Sequence, residues 1–471
     1  MILVASFMGL FDVFVVNVAA PDIQRTVHTS AAELQLVVGG YAFAYAAFLV
    51  TGGRLGDRYS YRRLFVGGMA LFTLTSAACG ISQTPPELLV ARLGQGLSAA
   101  LMVPQVLALI TTLFPPDERR RALAWFGVTV GLGAIAGQIL GGALVQADLF
   151  GWGWRTVSFV NVPIGVATVA LAARLLPRTR SAAHPQLDLV GVLAVAGSLG
   201  LALVPLTLGR TEGWPAWMIA LLCAAPAALA LSVLYESRLA RRGGQPVLDL
   251  SLFKARSFSA GLVVNAGMFA YFGSVLLGLT LFLQVGLKLS PLDAGLSFAP
   301  LGVGFGITSL LAQPLIARHG ARVVTAGLVV AGAALAGLLL DINLSGSATD
   351  PARLAPLFFA IGIGNGFVIP ALIGVSLTNV PPPKAGAAAG TLATTQQFAA
   401  ATGIAVLSEI FFAALGGHPV EHDYIRAVQL VLGLDIGFVA ASFFASQFLP
   451  RPRQARAEAP KTAPVEVGDA P

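Results

Sequence analysis

Gly53-Arg54-Leu55-Gly56-Asp57-Arg58-Tyr59-Ser60-Tyr61-Arg62-Arg63 sets one acid among four arginines, between apolar runs at 33–53 and 64–83. Crossing the roughly 30 Å hydrocarbon core of a bilayer takes about 20 apolar residues at about 1.5 Å rise each, which is the length of either run. The segment therefore reads as helix, tight charged loop, helix, with the loop in water. The pattern extends along the chain. Of 471 residues, 56% are apolar and 11% charged, so the solvent for most of the chain is lipid. Backbone groups in lipid must bond internally, which makes continuous apolar runs helices. The ten-residue alternation of a membrane barrel is absent.

Apolar runs between charged or Pro/Gly-rich breaks give fourteen spans: 1–20, 33–53, 64–83, 87–112, 122–146, 156–176, 187–208, 216–236, 257–285, 294–317, 323–342, 354–378, 387–415 and 427–449. The Pro/Ala/charge-rich tail after Pro450 is expected to be disordered. Lys and Arg test the topology, because loops rich in them stay cytoplasmic. One side collects twenty-two of the twenty-nine, the other six, and Arg92 alone lies inside a span. Both termini are thus expected in the cytoplasm. The basic residues punctuate helices and form no single patch, so the net charge of +7 does not point to nucleic acid. Cys79 and Cys223 fall inside apolar runs and are expected to be inert packing residues.

The two ends of the chain echo each other. Pro104 and Pro370, Gly96 and Gly362, Thr112 and Thr378, Pro115-Pro116 and Pro381-Pro382, and Gly137 and Gly403 share one offset of 266 residues. This makes spans four and twelve equivalent, as parallel repeats require. The expected organisation is a six-helix half over 1–180, a two-helix insert with its loops over 181–250, a second six-helix half over 251–450 and a tail over 451–471.

Three motifs carry a family resemblance. The segment at 53–63 resembles the Gly-x-Leu-x-Asp-Arg-x-Gly-Arg-Lys signature of the major facilitator superfamily, with Ser60 in place of the second glycine; a degenerate copy, Leu315 to Arg322, follows span ten. Leu89-x-x-Arg92-x-x-Gln95-Gly96 is similar to its Arg-x-x-Gln-Gly signature. Gly127, Gly131, Gly133 and Gly137-Gln138-x-x-Gly141-Gly142 resemble its antiporter signature, with Gln138 where the proline stands. Two more stretches, Phe11-Asp12 through Asn17-Val18-Ala19-Ala20-Pro21 and Trp154-Arg155 through Asn161-Val162-Pro163-Ile164-Gly165, are similar to the fourteen-helix drug:proton antiporter branch. The resemblance implies a conformational latch at Gly53, Asp57, Arg58 and Arg62, and for Asp57 a helix N-terminus would add about 0.3–1 kcal/mol. It implies an antiporter-motif helix through Gly133, Gly137, Gln138, Gly141 and Gly142.

Acids well inside spans are few: Asp12, Glu409 and Asp435. Desolvation disfavours the charged form of a carboxyl group, so an acid there can exchange protons. Asp12 is the first choice as proton carrier, Glu409 is a second proton site or a counter-charge, and Arg92 modulates Asp12. Asp435, on a span equivalent to the peripheral sixth, is expected to be structural or subunit-facing. Asn17, Gln138, Asn265, Gln284, Asn365, Gln396 and Gln397 could line a cavity or simply bond helices together.

The expected function is proton-coupled export of lipophilic, cationic drugs or toxic compounds across a bacterial inner membrane by alternating access. The alternative is a transporter of another solute (siderophore, lipid, amino acid or self-made antibiotic), with Gln138 leaving room for a mode other than antiport. A membrane enzyme is disfavoured, since no His-Glu-x-x-His, Gly-x-Ser-x-Gly or Asp-pair motif occurs and the five histidines are assigned to loops. No cofactor and no metal is expected. The partners are a small-molecule substrate, protons and the bilayer, for a monomer.

Overall fold

A computed structural model describes residues 1–177, 188–209, 212–244, 250–346, 349–378, 380, 385–415 and 421–450. All regular structure among them is helical. The first half comprises α1 (Leu3–Val27), α2 (Ala31–Tyr59), α3 (Tyr61–Ile81), α4 (Pro85–Leu113), α5 (Pro116–Ala147) and a broken sixth span, α6 (Arg155–Phe159) with α7 (Asn161–Leu175). The insert is α8 (Leu189–Leu208) and α9 (Ala216–Arg241). The second half comprises α10 (Arg256–Leu281), which continues as a π turn over Phe282–Gly286, then α11 (Pro291–Ser297) with α12 (Ala299–His319), α13 (Arg322–Ser345), α14 (Pro351–Ser376), α15 (Ala385–Leu415) and α16 (Glu421–Ser446). Eleven of these segments are long and apolar enough to cross a membrane, and α2 and α8 carry shorter apolar stretches, Glu33–Leu49 and Val190–Leu206. With α5, at 32 residues, the described chain has the expected six-two-six order of a multi-pass membrane protein. The tail after Pro450 lies outside the described residues.

Two local expectations are corrected. The first helix does not stop before Pro21 but carries it inside and ends at His28 in the left-handed region. The stretch at 53–63 is not a loop: α2 continues to Tyr59, and Ser60 alone connects it to α3. Ser60 has φ 156°, and its hydroxyl caps α3 by accepting from Arg63 N at 3.5 Å. Asp57 thus sits in the last turn of α2, a helix C-terminus, where the dipole does not favour an acid.

The internal repeat has a steric basis. A side chain on Gly96 of α4 would place its Cβ 2.2 Å from Tyr41 O of α2, and one on Gly362 of α14 would place it 1.9 Å from Leu301 O of α12. Gly137 of α5 sits 2.8 Å from Phe11 O of α1 by the same measure, and Gly403 of α15 sits 2.1 Å from Ala270 O of α10. Equivalent helices therefore approach to backbone contact at equivalent glycines, which is how helices associate where lipid removes the hydrophobic drive. α4 and α14 also both start on prolines at the same offset, Pro85 and Pro351.

The halves meet in the middle and at the end away from the chain termini. Phe14 of α1 packs edge-on against Phe272 of α10, with ring centroids 5.6 Å apart. Toward the far end, Gln284 Nε2, in the π turn, donates to Val18 O at 3.1 Å, and Leu292 N donates to Gln146 Oε1 at 3.3 Å. A further apolar cluster joins Ala42 of α2, Leu203 of α8, and Ala401 and Ala405 of α15. The insert thereby touches both halves along the α2–α15 seam.

Gly96→Val is expected to lower stability by about 1–3 kcal/mol through overpacking. Gly39→Ala on α2, where nothing lies within 4 Å of the added carbon, is expected to leave it unchanged. Thermal unfolding of the detergent-purified protein reads both; equal midpoints would show that the α2–α4 contact is looser than described.

Candidate proton-coupling site

Asp12 lies in the first half of α1 and is 1% exposed; Arg92, two turns into α4, is 2% exposed. Arg92 Nη1 is ion-paired to Asp12 Oδ2. Arg92 Nε donates to Val37 O of α2 at 3.2 Å, Nη1 also donates to Gln95 Oε1 at 2.8 Å, and the guanidinium lies 4.8 Å from the centroid of the Tyr41 ring. The Tyr41 hydroxyl in turn donates to Gly9 O at 3.1 Å.

Gln95 is the hub of this network. Its Nε2 donates to Asp12 Oδ1 at 3.0 Å and to Ser76 Oγ of α3 at 2.8 Å, while its Oε1 accepts from Arg92 and from the Cys79 thiol at 3.2 Å. Asn161 Nδ2, from the start of α7, completes the shell by donating to Asp12 Oδ1 at 3.0 Å. Five helices, α1, α2, α3, α4 and α7, thus converge on one ion pair and its hydrogen-bond network. An arginine inside a span costs at least about 2.5–3.5 kcal/mol, and the pair with its hydrogen bonds offsets that. The reading of Cys79 as an inert packing residue needs amending, since its thiol donates into the network.

Asp12 and Arg92 are brought together, whereas Glu409 stands elsewhere, half-buried near the far end of α15 in the other half. Of the other expected site residues, Gly133, Gly137 and Gly141 recur every four residues along α5 and seat it on α1. Gly142 turns the other way: its added Cβ would lie 2.2 Å from Pro291 O, while Gly295 of α11 meets Gln138 O at 2.6 Å. The antiporter-motif helix therefore seals the far end between the halves. Gln138 is 2% exposed, and its amide has no hydrogen-bond partner among the described residues. At the 53–63 segment, Gly53 is in ordinary contact with Pro104, and Arg58 is exposed and stacks beside Tyr59. Arg62 donates to Ala173 O at the end of α7, a bond within one half. The Asp57 side chain lies outside the described residues.

Sequence reasoning quoted Gln95 and Asn161 inside motifs without giving either a role. Gln95 had a usable signal, because an i,i+3 spacing from Arg92 puts both on one helix face. Ser76 and Tyr41 carried none. The remaining motif residues act as braces: Trp154 N donates to Asp22 Oδ2 at 3.1 Å, and Arg155 Nη2 donates to Ser82 O at the end of α3 at 3.0 Å.

Two repeated six-helix halves closed on one another at one end, with a buried charge pair in the first, define a membrane transporter. The family model for the Major Facilitator Superfamily matches residues 2–404, and the chain belongs to that superfamily. It is 40% identical over 416 residues to a probable actinorhodin transporter of Streptomyces coelicolor, covering 88% of this chain and 72% of that one. It is 36% identical over 432 residues to the cephamycin export protein CmcT of Amycolatopsis lactamdurans, covering 88% and 85%. Among solved structures, a bacterial homologue of the human lysosomal transporter Spinster aligns over 95% of this chain and 96% of its own, with TM-score 0.65 at 17% identity. The superfamily consists of transporters, not enzymes, and the chain is a multi-pass protein of the bacterial inner membrane.

Removing one partner of a buried ion pair costs about 3–5 kcal/mol, because the other charge is left uncompensated. Arg92→Met and Asp12→Asn are each expected to lower the thermal midpoint of the purified protein, and the double substitution is expected to recover part of the loss. A strictly additive double-mutant cycle would show that the two side chains do not interact.

Proposed function

We propose that this transporter exports lipophilic antibiotics or drugs by exchanging them for protons, with Asp12 as the proton carrier. The observation that carries the reading is the Asp12–Arg92 pair buried in the half that antiporter-motif helix α5 ties to the far end. The printed functions of the relatives, actinorhodin transport and cephamycin export, support the substrate class. With both termini in the cytoplasm, as the positive-inside bias expects, the sealed far end faces outward. The conformation described is then closed to the outside, with Asp12 paired to its arginine.

In this reading protons enter from outside in the opposite conformation, neutralise Asp12 and release Arg92. One elementary charge moving through about 100 mV supplies about 2.3 kcal/mol, against about 3–5 kcal/mol to break the pair. A single proton is therefore of the right order but slightly short. The donors Gln95 and Asn161 both bond Oδ1, so a proton on Oδ2 leaves that oxygen satisfied, but they favour the ionised carboxyl and do not lower the cost. A substrate drives the cycle only through its differential affinity for the two conformations. A cationic drug would compete with Arg92 for Asp12. The pair itself is neutral overall, however, and that favours a second reading in which uncharged antibiotics are also carried.

Energised inverted vesicles containing a pH-sensitive dye separate these cases. Ethidium or an uncharged aromatic antibiotic is expected to release protons from the wild type, and Asp12→Asn is expected to lower the initial rate by about tenfold or more, as loss of a coupling group should. A response to ethidium alone fixes the cationic class. No response to any compound, with the protein present in the membrane, would overturn proton-coupled export.

A further inference from the structure

The second half holds a carboxyl group that the Asp12 network does not use. Asp435, midway along α16, is 0% exposed, and neither of its oxygens has a hydrogen-bond partner among the described residues. No cation pairs with it there either. It does not face a subunit or the lipid: Tyr271 and Ser274 of α10 face it from inside the bundle. Ser274 is also 0% exposed, and its hydroxyl stops short of hydrogen-bond geometry.

α16 packs against α10, α13, α15 and the π turn. The ionisable groups on those elements are Arg256 and Tyr271 on α10, Arg322 and Asp341 on α13, and Glu409 on α15; the π turn has none. Arg256 and Arg322 open their helices at the terminal end, and Asp341 and Glu409 lie toward the far end. Glu421, His422, Asp423, Tyr424 and Arg426 crowd the far end of α16 itself. Only Tyr271 stands level with Asp435. A carboxylate so enclosed would carry an uncompensated charge, and a group in that position neutralises instead. Asp435 is therefore a site suited to holding a proton in the conformation where Arg92 is paired with Asp12.

We propose that Asp435 is a second proton carrier, so that each transport cycle moves two protons: one through Asp12 in the first half and one through Asp435 in the second. The proposal rests on the proton-coupled reading above. Helix α10 supplies the connection. Its Tyr271–Ser274 face meets Asp435, the adjacent Phe272 packs on Phe14 of α1 two residues from Asp12, and the Tyr271 hydroxyl donates to Asn365 Oδ1 of α14 at 3.3 Å. When Asp435 releases its proton, the carboxylate left behind needs donors. Ser274 and Tyr271 are the ones at hand, and recruiting Tyr271 breaks its bond to α14 and frees α10 to roll against α1. The proton leaves as H+ to water at the terminal surface, where α10 and α16 part in a shallow, mostly apolar groove of about 410 Å³ lined by Arg256, Ser259, Ala260, Val263, Ala445 and Phe448. Ser442, whose hydroxyl lies against Val264 O and Gly267, stands between groove and carboxyl.

The test is the electrical balance of transport by the purified protein in proteoliposomes, with ethidium as a monovalent cation. Two protons entering per ethidium leaving moves net charge, so a membrane potential alone drives the wild type. Asp435→Asn, a neutral mimic of the protonated form, is expected to exchange one for one. Its potential-driven rate should fall by about tenfold or more while its pH-gradient-driven rate stays within about twofold. Unchanged responses to both forces, or an equal loss of both, would overturn the proposal. Infrared difference spectra of the detergent-purified protein across a pH titration decide the matter without transport. A protonated-carboxyl band that titrates in the wild type and is missing in Asp435→Asn supports proton binding at Asp435, even if proton-coupled export itself fails; a spectrum without that band overturns it.

Discussion

Buried inside a membrane span, the guanidinium of Arg92 has nothing but protein to answer it, and the groups that do so hold five helices of the first half in register. Asp12 supplies the opposite charge from α1, Val37 a carbonyl and Tyr41 a ring face from α2, Ser76 and Cys79 anchor Gln95 from α3, and Asn161 reaches in from α7. Apart from the ion pair none of these bonds is strong alone, since interhelical hydrogen bonds in membranes average about 0.6 kcal/mol. Their weight comes from the penalty for losing one: a missing partner leaves a charge or an amide stranded in a low dielectric. The same requirement, applied to the backbone, makes every span a helix.

Close packing obeys a second constraint, that a carbonyl of one helix sits where the Cβ of another would be. Gly96 with Tyr41 O and Gly362 with Leu301 O are the same contact made twice, one repeat apart. Repetition of the fold did not bring repetition of the chemistry. The position equivalent to Arg92 is Phe358, fully buried and stacked on Phe298 at 5.4 Å between ring centroids. With no arginine in the second half at that level, an acid there has no counter-ion to keep it charged. The polar contact between the first and last helices of each half is correspondingly inverted. In the first half α1 carries the acid and α7 the amide; in the second, α16 carries the acid and α10 the hydroxyls.

What could be read from the sequence divides along physical lines. Span number and order were legible because membrane thickness sets a length that apolar runs either meet or miss. The offset of 266 residues was legible because prolines and glycines at helix contacts tolerate few replacements. The 53–63 segment was misread because arginines and glycines normally mark loops. Here Gly52 and Gly56 instead lie inside α2, where added Cβ atoms would meet Ala100 O at 1.9 Å and Gln105 Oε1 at 2.0 Å on α4, so the helix runs on to Ser60. The direction in which Asp435 points was not legible at all. A helix that is apolar all round gives no moment to show which face is packed.

Gln138 shows how the same reasoning handles a departure from a motif. A proline there would remove a backbone donor and kink α5. Glutamine keeps the helix continuous from Pro116 to Ala147, and its backbone carbonyl still takes the close approach of Gly295 from α11. The seal between the halves thus depends on small residues on both sides, Gly142 facing Pro291 and Gly295 facing Gln138, and not on a kink. What glutamine adds there is a buried amide without a hydrogen-bond partner among the described residues, beside that seal. An unsatisfied amide costs about 1–3 kcal/mol in the closed arrangement, and water reaching it on opening would remove the cost.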